Sequence, residues 1–132
     1  MTPLAALLLL AACSRPTDEA VQFHDALSAQ NGVKAFGLLS SQTRAALAKI
    51  ARDAHAAAGE SIPDDPALMI VQGDLSLYPP PEPPSHHVAQ AELLSIDGSR
   101  AKVRVRMGDA TNELDLVNEG RRWKIDLPVR AP

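Results

Sequence analysis

The sequence is short of several residue types, and each shortage excludes a class of function. A single cysteine among 132 residues excludes an internal disulfide, a cysteine-based zinc site and an iron–sulfur cluster. Aromatic residues make up 3% of the chain, too few for the stacking platforms that bind bases or sugars. A formal net charge of -3 provides no basic footprint, so we expect no nucleic-acid partner.

Motifs of cofactor binding and covalent catalysis are also missing from the sequence. It contains no glycine-rich phosphate loop, no serine nucleophile motif and no paired-acid signature of a glycosidase. We therefore expect neither a cofactor nor a metal. Hydrophobic residues account for 45% of the chain, and its length suits a single globular domain.

The first residues carry the strongest pattern in the sequence. Residues 3–12 read PLAALLLLAA and precede Cys13. A helix of that length reaches about 15 Å, half of a hydrocarbon core of about 30 Å, so the segment is interpreted as a signal peptide rather than a membrane span. Residues 1–12 contain no Lys or Arg, so only the amino terminus supplies the positive charge that usually starts such a peptide.

The four residues Leu10, Ala11, Ala12 and Cys13 resemble the lipobox of bacterial lipoproteins. The resemblance implies cleavage after Ala12, a diacylglycerol on the Cys13 sulfur and acylation of the new amino group. Two or three acyl chains exceed the two signals that stable membrane anchoring requires. The alternative is a conventional secretory signal that happens to end in a cysteine.

This resemblance also predicts where the protein lies. It implies a signal peptide over 1–12, a tether over 13–17 and a lipid-anchored position on the exported side of the bacterial cell envelope. Ser14, rather than an aspartate, follows the cysteine. In a bacterium with two membranes, this favours the outer membrane, facing the periplasm.

Apolar spacing predicts helices in the first half of the chain. Ala20, Phe23 and Leu27 form an apolar stripe on a helix that begins at the N-cap Thr17. A short second helix is predicted over 33–39, with Val33, Phe36 and Leu39 on one side. Ser40 or Ser41 caps a third helix that ends at Gly59, and Asp65 with Pro66 begins another short one. The segment 78–84, YPPPEPP, holds five of the 11 prolines and predicts a stiff, extended connector.

The final third of the chain alternates apolar and polar residues between glycine-containing turns. The runs 88–96, 100–107, 112–117 and 121–127 predict a four-stranded antiparallel meander. With Asp97-Gly98 and Glu119-Gly120 as two-residue loops and 108–111 as a longer one, Leu116 faces both Trp123 and Val103. Apolar residues then face apolar ones, and basic residues face acidic ones.

This order of elements resembles the nuclear-transport-factor-2-like (cystatin-like) α+β fold, and more narrowly the small bacterial lipoproteins of unknown function built on it. The segments that carry the resemblance are 21–39 and 95–127. It implies one α+β domain over 18–128, in which two or three N-terminal helices pack on a curved four-stranded antiparallel meander. Catalytic members of that fold have a cone between the helices and the sheet, with an Asp or His as general base.

The candidates for that general base are His24, Asp25, Glu92 and the pair His86 and His87. His24 lies beside Phe23 on the first helix, where a histidine is usually a boundary residue of the core rather than a catalytic one. Glu92 points into the cone if Asp97-Gly98 closes an undisturbed hairpin. A β-bulge near Leu93 and Leu94 instead turns Glu92 outward and Ala89, Ala91 and Leu93 inward. We favour the bulge because it buries more apolar surface.

A histidine pair is the remaining candidate for chemistry. His86 and His87 point to opposite faces if they lie on a strand, so they do not form one metal site.

Two hypotheses about function follow. The first is a lipid-anchored, non-catalytic binding or assembly module whose partners are the membrane, through Cys13, and an envelope protein or small ligand. The second is a small isomerase- or dehydratase-like enzyme with a cone-shaped pocket that uses Glu92 or His24. A cone filled by Leu94, Val103, Leu114 and Trp123 favours the module, and an enclosed, polar-lined cavity favours the enzyme.

Overall fold

The computed structural model describes residues 14–59, 64–72 and 89–128. The predicted signal peptide, Cys13, the proline-rich connector at 78–84 and the pair His86 and His87 lie outside the described residues. The helices are α1 (Pro16–Ser28), α2 (Gly32–Gly37), α3 (Ser41–Ala58) and α4 (Pro66–Gln72). The strands are β1 (Gln90–Asp97), β2 (Arg100–Met107), β3 (Ala110–Glu119) and β4 (Arg122–Asp126). Helices followed by a four-stranded antiparallel sheet confirm the predicted α+β class, with more helices than the two or three expected.

Helix α1 begins earlier than the sequence pattern indicated. Pro16 occupies its first turn, where a missing N–H costs nothing, and Arg15 rather than Thr17 is the N-cap residue. The predicted apolar stripe is confirmed, because Ala20, Phe23 and Leu27 are all buried.

The short helix α2 differs most from its predicted pattern. Val33 is 78% exposed, and Ala35 is the residue of this helix that is buried. The helix turns its small residues inward because it lies against α4: a Cβ atom on Gly32 would collide with the Ala67 carbonyl. Leu39 is fully buried and Phe36 is half-buried against the core, as predicted, so the predicted stripe is wrong only at Val33.

Helices α3 and α4 begin at the caps that the sequence indicates. The Ser40 hydroxyl accepts the Thr43 N–H at 3.1 Å, and the Asp65 carboxylate accepts the Ala67 N–H at 3.0 Å. Gly59 follows α3 with a φ of 75°, as expected for its C-terminal stop.

The sheet is a meander in the order β1-β2-β3-β4. Each hairpin closes with two loop residues, of which the first is a glycine with positive φ: Gly98, Gly108 and Gly120. The second loop residue has a negative φ in all three hairpins, which is the pattern of a type II′ turn. The sequence analysis had instead put the first and last glycines second in their loops.

All three predicted registers shift by two residues next to their turns, because Asp97 and Glu119 pair across their hairpins instead of lying in the loops, and because the β2–β3 loop has two residues instead of four. Val103 faces Leu114 rather than Leu116, and Leu116 faces Ile125 rather than Trp123, which lies opposite Asn118. Side chains alternate between faces with a period of two, so the shift leaves every apolar residue on the face predicted for it.

The core lies between α1 and the helix-facing side of the sheet. Helix α1 contacts β1, β2 and β4, and Phe23 is fully buried against the sheet. The apolar residues of the sheet that are at most 6% exposed are Ala101, Val103, Val105, Leu114, Leu116, Trp123 and Ile125.

The free edge of β4 is closed by other parts of the chain. The Ile125 N–H donates to the Leu38 carbonyl at 2.9 Å, and the Ile125 carbonyl accepts the Ser40 N–H at 2.7 Å. On either side, the Trp123 N–H donates to the Ser14 hydroxyl at 2.9 Å and the Leu127 N–H to the Thr43 hydroxyl at 3.0 Å. The N-terminal segment and the α2–α3 connection thus satisfy the groups that an edge strand leaves unpaired.

Candidate functional site

The space between α1 and the sheet is occupied by side chains. Of the four residues predicted to fill it, Val103, Leu114 and Trp123 belong to the buried core. Leu94 does not, because it is the extra residue of the β1 bulge and is only half-buried. Phe23 and Leu27 of α1 enter the same cluster from the helix side. The interior therefore has the packing of a core at the place where a catalytic cone would lie.

His24 lies at the boundary of this core. It is 3% exposed, and burial lowers its pKa below the ordinary value of 6.5, although the neighbouring Asp25 carboxylate acts in the opposite direction. The imidazole is consequently neutral at pH 7. A neutral imidazole can accept a proton, but its enclosure leaves a substrate no approach to it in this conformation.

Glu92 lies on the outer face of the sheet, as the expected bulge requires. The β1–β2 register shifts between Leu93 and Ser95, so that Glu92 faces Arg104 instead of Val103. Its side chain is 68% exposed and lies 3.8 Å from the Arg104 guanidinium. The bulge is confirmed, and it separates the two candidate bases onto opposite faces of the sheet.

A shallow groove surrounds Glu92. Its volume is about 150 Å³, and Gln90, Ala91, Glu92, Arg104 and Arg106 line it. The Arg104 guanidinium is shared between Glu92 and Glu113, the latter at 3.4 Å. Mixed charge in an open groove suits a polar contact with a partner, and it provides none of the water exclusion on which catalysis by a carboxylate depends.

The edge formed by β1 contrasts with the closed edge of β4. The residues that flank a two-residue hairpin loop, here Asp97 and Arg100, form a hydrogen-bonded pair. Hydrogen-bonded and non-hydrogen-bonded pairs then alternate along the two strands. The backbone N–H and C=O groups of Ala91, Leu93 and Ile96 therefore point away from β2. Within the described residues, no helix or loop bonds to these groups. The side chains of Leu93 and Ile96 are 43% and 55% exposed, although both lie on the helix-facing side. Leu93 is thus less buried than the bulge hypothesis expected.

A polar network joins α3 to the sheet at the other edge. The Ser40 hydroxyl lies 2.9 Å from the Asp126 carboxylate, which also accepts from Arg100 at 2.9 Å. Glu119 accepts two hydrogen bonds from Ser41, at 2.9 Å from its N–H and 2.7 Å from its hydroxyl, and these lower the Glu119 pKa. Every group in the network has a partner, so its role is to hold the helix to the sheet. The sequence analysis missed it, because no periodic pattern connects residues more than 70 positions apart.

Across 14–59, 64–72 and 89–128, no three His, Cys, Asp or Glu side chains come together as a metal site would require. In the same part of the chain, no helix has the length and apolar character needed to cross a bilayer.

The position of Glu92 leads to the first prediction. We expect Glu92→Gln to change the free energy of unfolding by no more than about 0.5 kcal/mol at pH 7 and at pH 4, because an exposed ion pair contributes little. Denaturant unfolding measures this, with Glu113→Gln, the other partner of Arg104, as the matched control. If Glu92→Gln stabilised the protein at neutral pH but not at acid pH, the Glu92 carboxylate would be buried, and Glu92 would again be a candidate for the general base.

His24 gives the second prediction, a dependence of stability on pH. Above pH 6.5 the histidine is neutral in the folded and unfolded chains and contributes no difference. As the pH falls below 6.5, the unfolded chain binds a proton that the folded chain resists, so stability decreases. We expect His24→Gln to lose part of this decrease, measured by unfolding midpoints between pH 8 and pH 5. His55→Gln on α3 serves as the control, and equal acid sensitivity of the wild type and His24→Gln would contradict the prediction.

Comparisons with known proteins do not assign this chain to a family. No protein-family model, no curated protein and no solved structure matches this chain.

Proposed function

We propose that this protein is a lipid-anchored, non-catalytic binding module of the bacterial cell envelope, held on the exported side through Cys13. The anchor is supported by the sequence Leu10-Ala11-Ala12-Cys13, which follows an apolar segment too short to cross a bilayer. As part of the same proposal, we place the domain among the nuclear-transport-factor-2-like lipoproteins that the sequence resembles. In a bacterium with two membranes, the module faces the periplasm from the outer membrane.

The filled interior is the observation that carries the non-catalytic part of the proposal. Val103, Leu114 and Trp123 occupy the space in which a substrate would bind, and all three are buried. The two candidate bases do not share a pocket, since His24 is enclosed in the core and Glu92 lies on the opposite face. The alternative, an isomerase- or dehydratase-like enzyme, needs both a cavity and an acid or base that opens into it.

The edge of β1 supports a protein as the partner. An exposed edge binds an extended segment by adding it as a further strand, with backbone hydrogen bonds for affinity and alternate side chains for specificity. Leu93 and Ile96 offer apolar contacts to such a segment, and the groove beside Glu92 offers polar ones.

A second copy of the same strand fits this edge poorly. Antiparallel pairing that sets Leu93 opposite Ile96 of the second copy also sets Glu92 opposite Asp97, and like charges in directly facing positions are destabilising. We therefore assign the edge to an extended segment of another envelope protein, one without acidic residues at those positions.

The anchor has a direct test. Cells that produce the full chain are labelled with a fatty-acid analogue, and we expect label in the wild type and none in Cys13→Ser, which should accumulate as unprocessed precursor. Ser14→Ala is the matched control, because it changes the neighbouring hydroxyl and keeps the thiol. Equal labelling of the wild type and Cys13→Ser would remove the lipid anchor from the proposal.

The edge is tested separately by site-specific crosslinking in cells. A photoreactive residue at position 96 should form an adduct with another protein. The segment that it contacts should be extended and should have no acidic residue opposite Glu92. We expect Leu93→Lys to abolish the adduct. The same photoreactive residue at the exposed position 33 on α2 is the control. An adduct with the mass of two copies would show that the edge binds a second copy and not another protein. Adducts of equal yield at positions 96 and 33 would contradict the assignment of the edge as the binding site.

A further inference from the structure

The start of the described chain is attached to the sheet. The Ser14 hydroxyl accepts the Trp123 N–H at 2.9 Å, and Pro16, the first residue of α1, is buried. Residues 14–17, predicted as part of the tether, thus include a contact with β4 and the first residues of a helix. Cys13 is the residue directly before Ser14, and consecutive Cα atoms lie about 3.8 Å apart.

This attachment determines which end of the sheet is nearest to the anchor. Trp123 is the second residue of β4, next to the β3–β4 turn. In the meander, the β1–β2 turn lies at the same end and the β2–β3 turn at the opposite end. Strand β3 has 10 residues, so the two ends are separated by about 30 Å.

The side chains at the near end are suited to an anionic surface. Arg15, next to Ser14, and Arg121 and Arg122, next to Trp123, are all exposed. Two acidic side chains lie close to them in the chain: Glu119, in the same turn, accepts two hydrogen bonds from Ser41, and Asp18 is exposed in the first turn of α1. Three exposed arginines beside one exposed aspartate leave an excess of positive charge. The exposed Asp97 lies at the same end, but on β1, three strands away from β4.

We propose that Arg15, Arg121 and Arg122 form a membrane-facing surface that binds the phosphate groups of anionic phospholipids beside the lipid anchor. The inference rests on the proposed lipidation of Cys13. An acyl anchor alone holds a protein at the bilayer without orienting it, whereas cations beside the anchor add attraction to anionic lipids at one face. The strands then run away from the membrane, and the β2–β3 turn faces the aqueous compartment. The outer edge of β1, to which no backbone group of the described residues bonds, then points away from the anchored strand and toward a partner.

The test uses the full, lipidated protein in vesicles. Trp123 is the only tryptophan, so its fluorescence reports the distance of this end from the bilayer. Nitroxide-labelled headgroups in phosphatidylglycerol/phosphatidylethanolamine vesicles should quench it more strongly than in vesicles in which phosphatidylcholine replaces phosphatidylglycerol. We expect the double variant Arg121→Gln/Arg122→Gln to lose this difference, and high salt to weaken it in the wild type.

The control is Arg52→Gln/Arg106→Gln, which removes the same charge from exposed positions on α3 and β2 and should keep the difference. Unfolding midpoints of both double variants confirm that they fold. Quenching that does not depend on the anionic lipid, or that falls equally in both double variants, would overturn the proposed surface. Failure of lipidation gives a different result, because the wild type would then no longer float with the vesicles.

Discussion

The closure of the β4 edge is the constraint on which the rest of this structure depends. Three backbone N–H groups of that edge, those of Trp123, Ile125 and Leu127, donate to Ser14, Leu38 and Thr43 respectively. Each acceptor lies on a different part of the N-terminal half. A sheet with one face open to solvent needs a cover for its apolar face, and these hydrogen bonds fix the helices in the position from which α1 can cover it. A buried backbone N–H without a partner costs more free energy than a hydrogen bond contributes. Any other placement of the helices would leave these N–H groups unpaired, so the hydrogen bonds select this arrangement as well as stabilise it.

Because the β4 edge is closed by hydrogen bonds within the chain, the two edges of the sheet differ in their ability to bind a partner. The side with β4 is occupied by internal bonds and by the network around Ser40, Asp126 and Arg100, which leaves it little to offer a partner. The side with β1 keeps outward backbone groups and two exposed apolar residues, Leu93 and Ile96. An exposed edge strand can pair with other chains and aggregate, and the bulge between Leu93 and Ser95 interrupts this one. We regard an edge that is interrupted in this way and flanked by charge as suited to a specific partner rather than to a second copy.

The anchor and the edge together describe a module that presents one strand to its surroundings. In the proposed arrangement, the acyl chains and Arg15, Arg121 and Arg122 hold the β4 side of the near end against the bilayer. The β1 edge then stands about three strand spacings from the anchored strand, roughly 14 Å. The filled core between α1 and the sheet is consistent with a rigid support for such a surface, since binding sites placed on packed elements keep their geometry.

The sequence by itself determined the α+β class, the apolar stripe of α1, a serine cap for α3 at Ser40 or Ser41 and the face of every core residue of the sheet, because these follow from local periodicity and local hydrogen bonding. It also indicated the bulge that turns Glu92 outward, since only a bulge places Ala89 on the apolar side. The tertiary structure decided the registers of all three hairpins, which depend on the length of each loop and on whether glycine is first or second in it. A difference of two residues leaves every side chain on the same face, so periodicity cannot detect it. The tertiary structure alone decided that Val33 is exposed, that Ser14 bonds to Trp123 and that, among the described residues, the β4 edge is closed while no backbone group bonds to the outer edge of β1. These depend on contacts between segments far apart in the chain, and no local pattern records them.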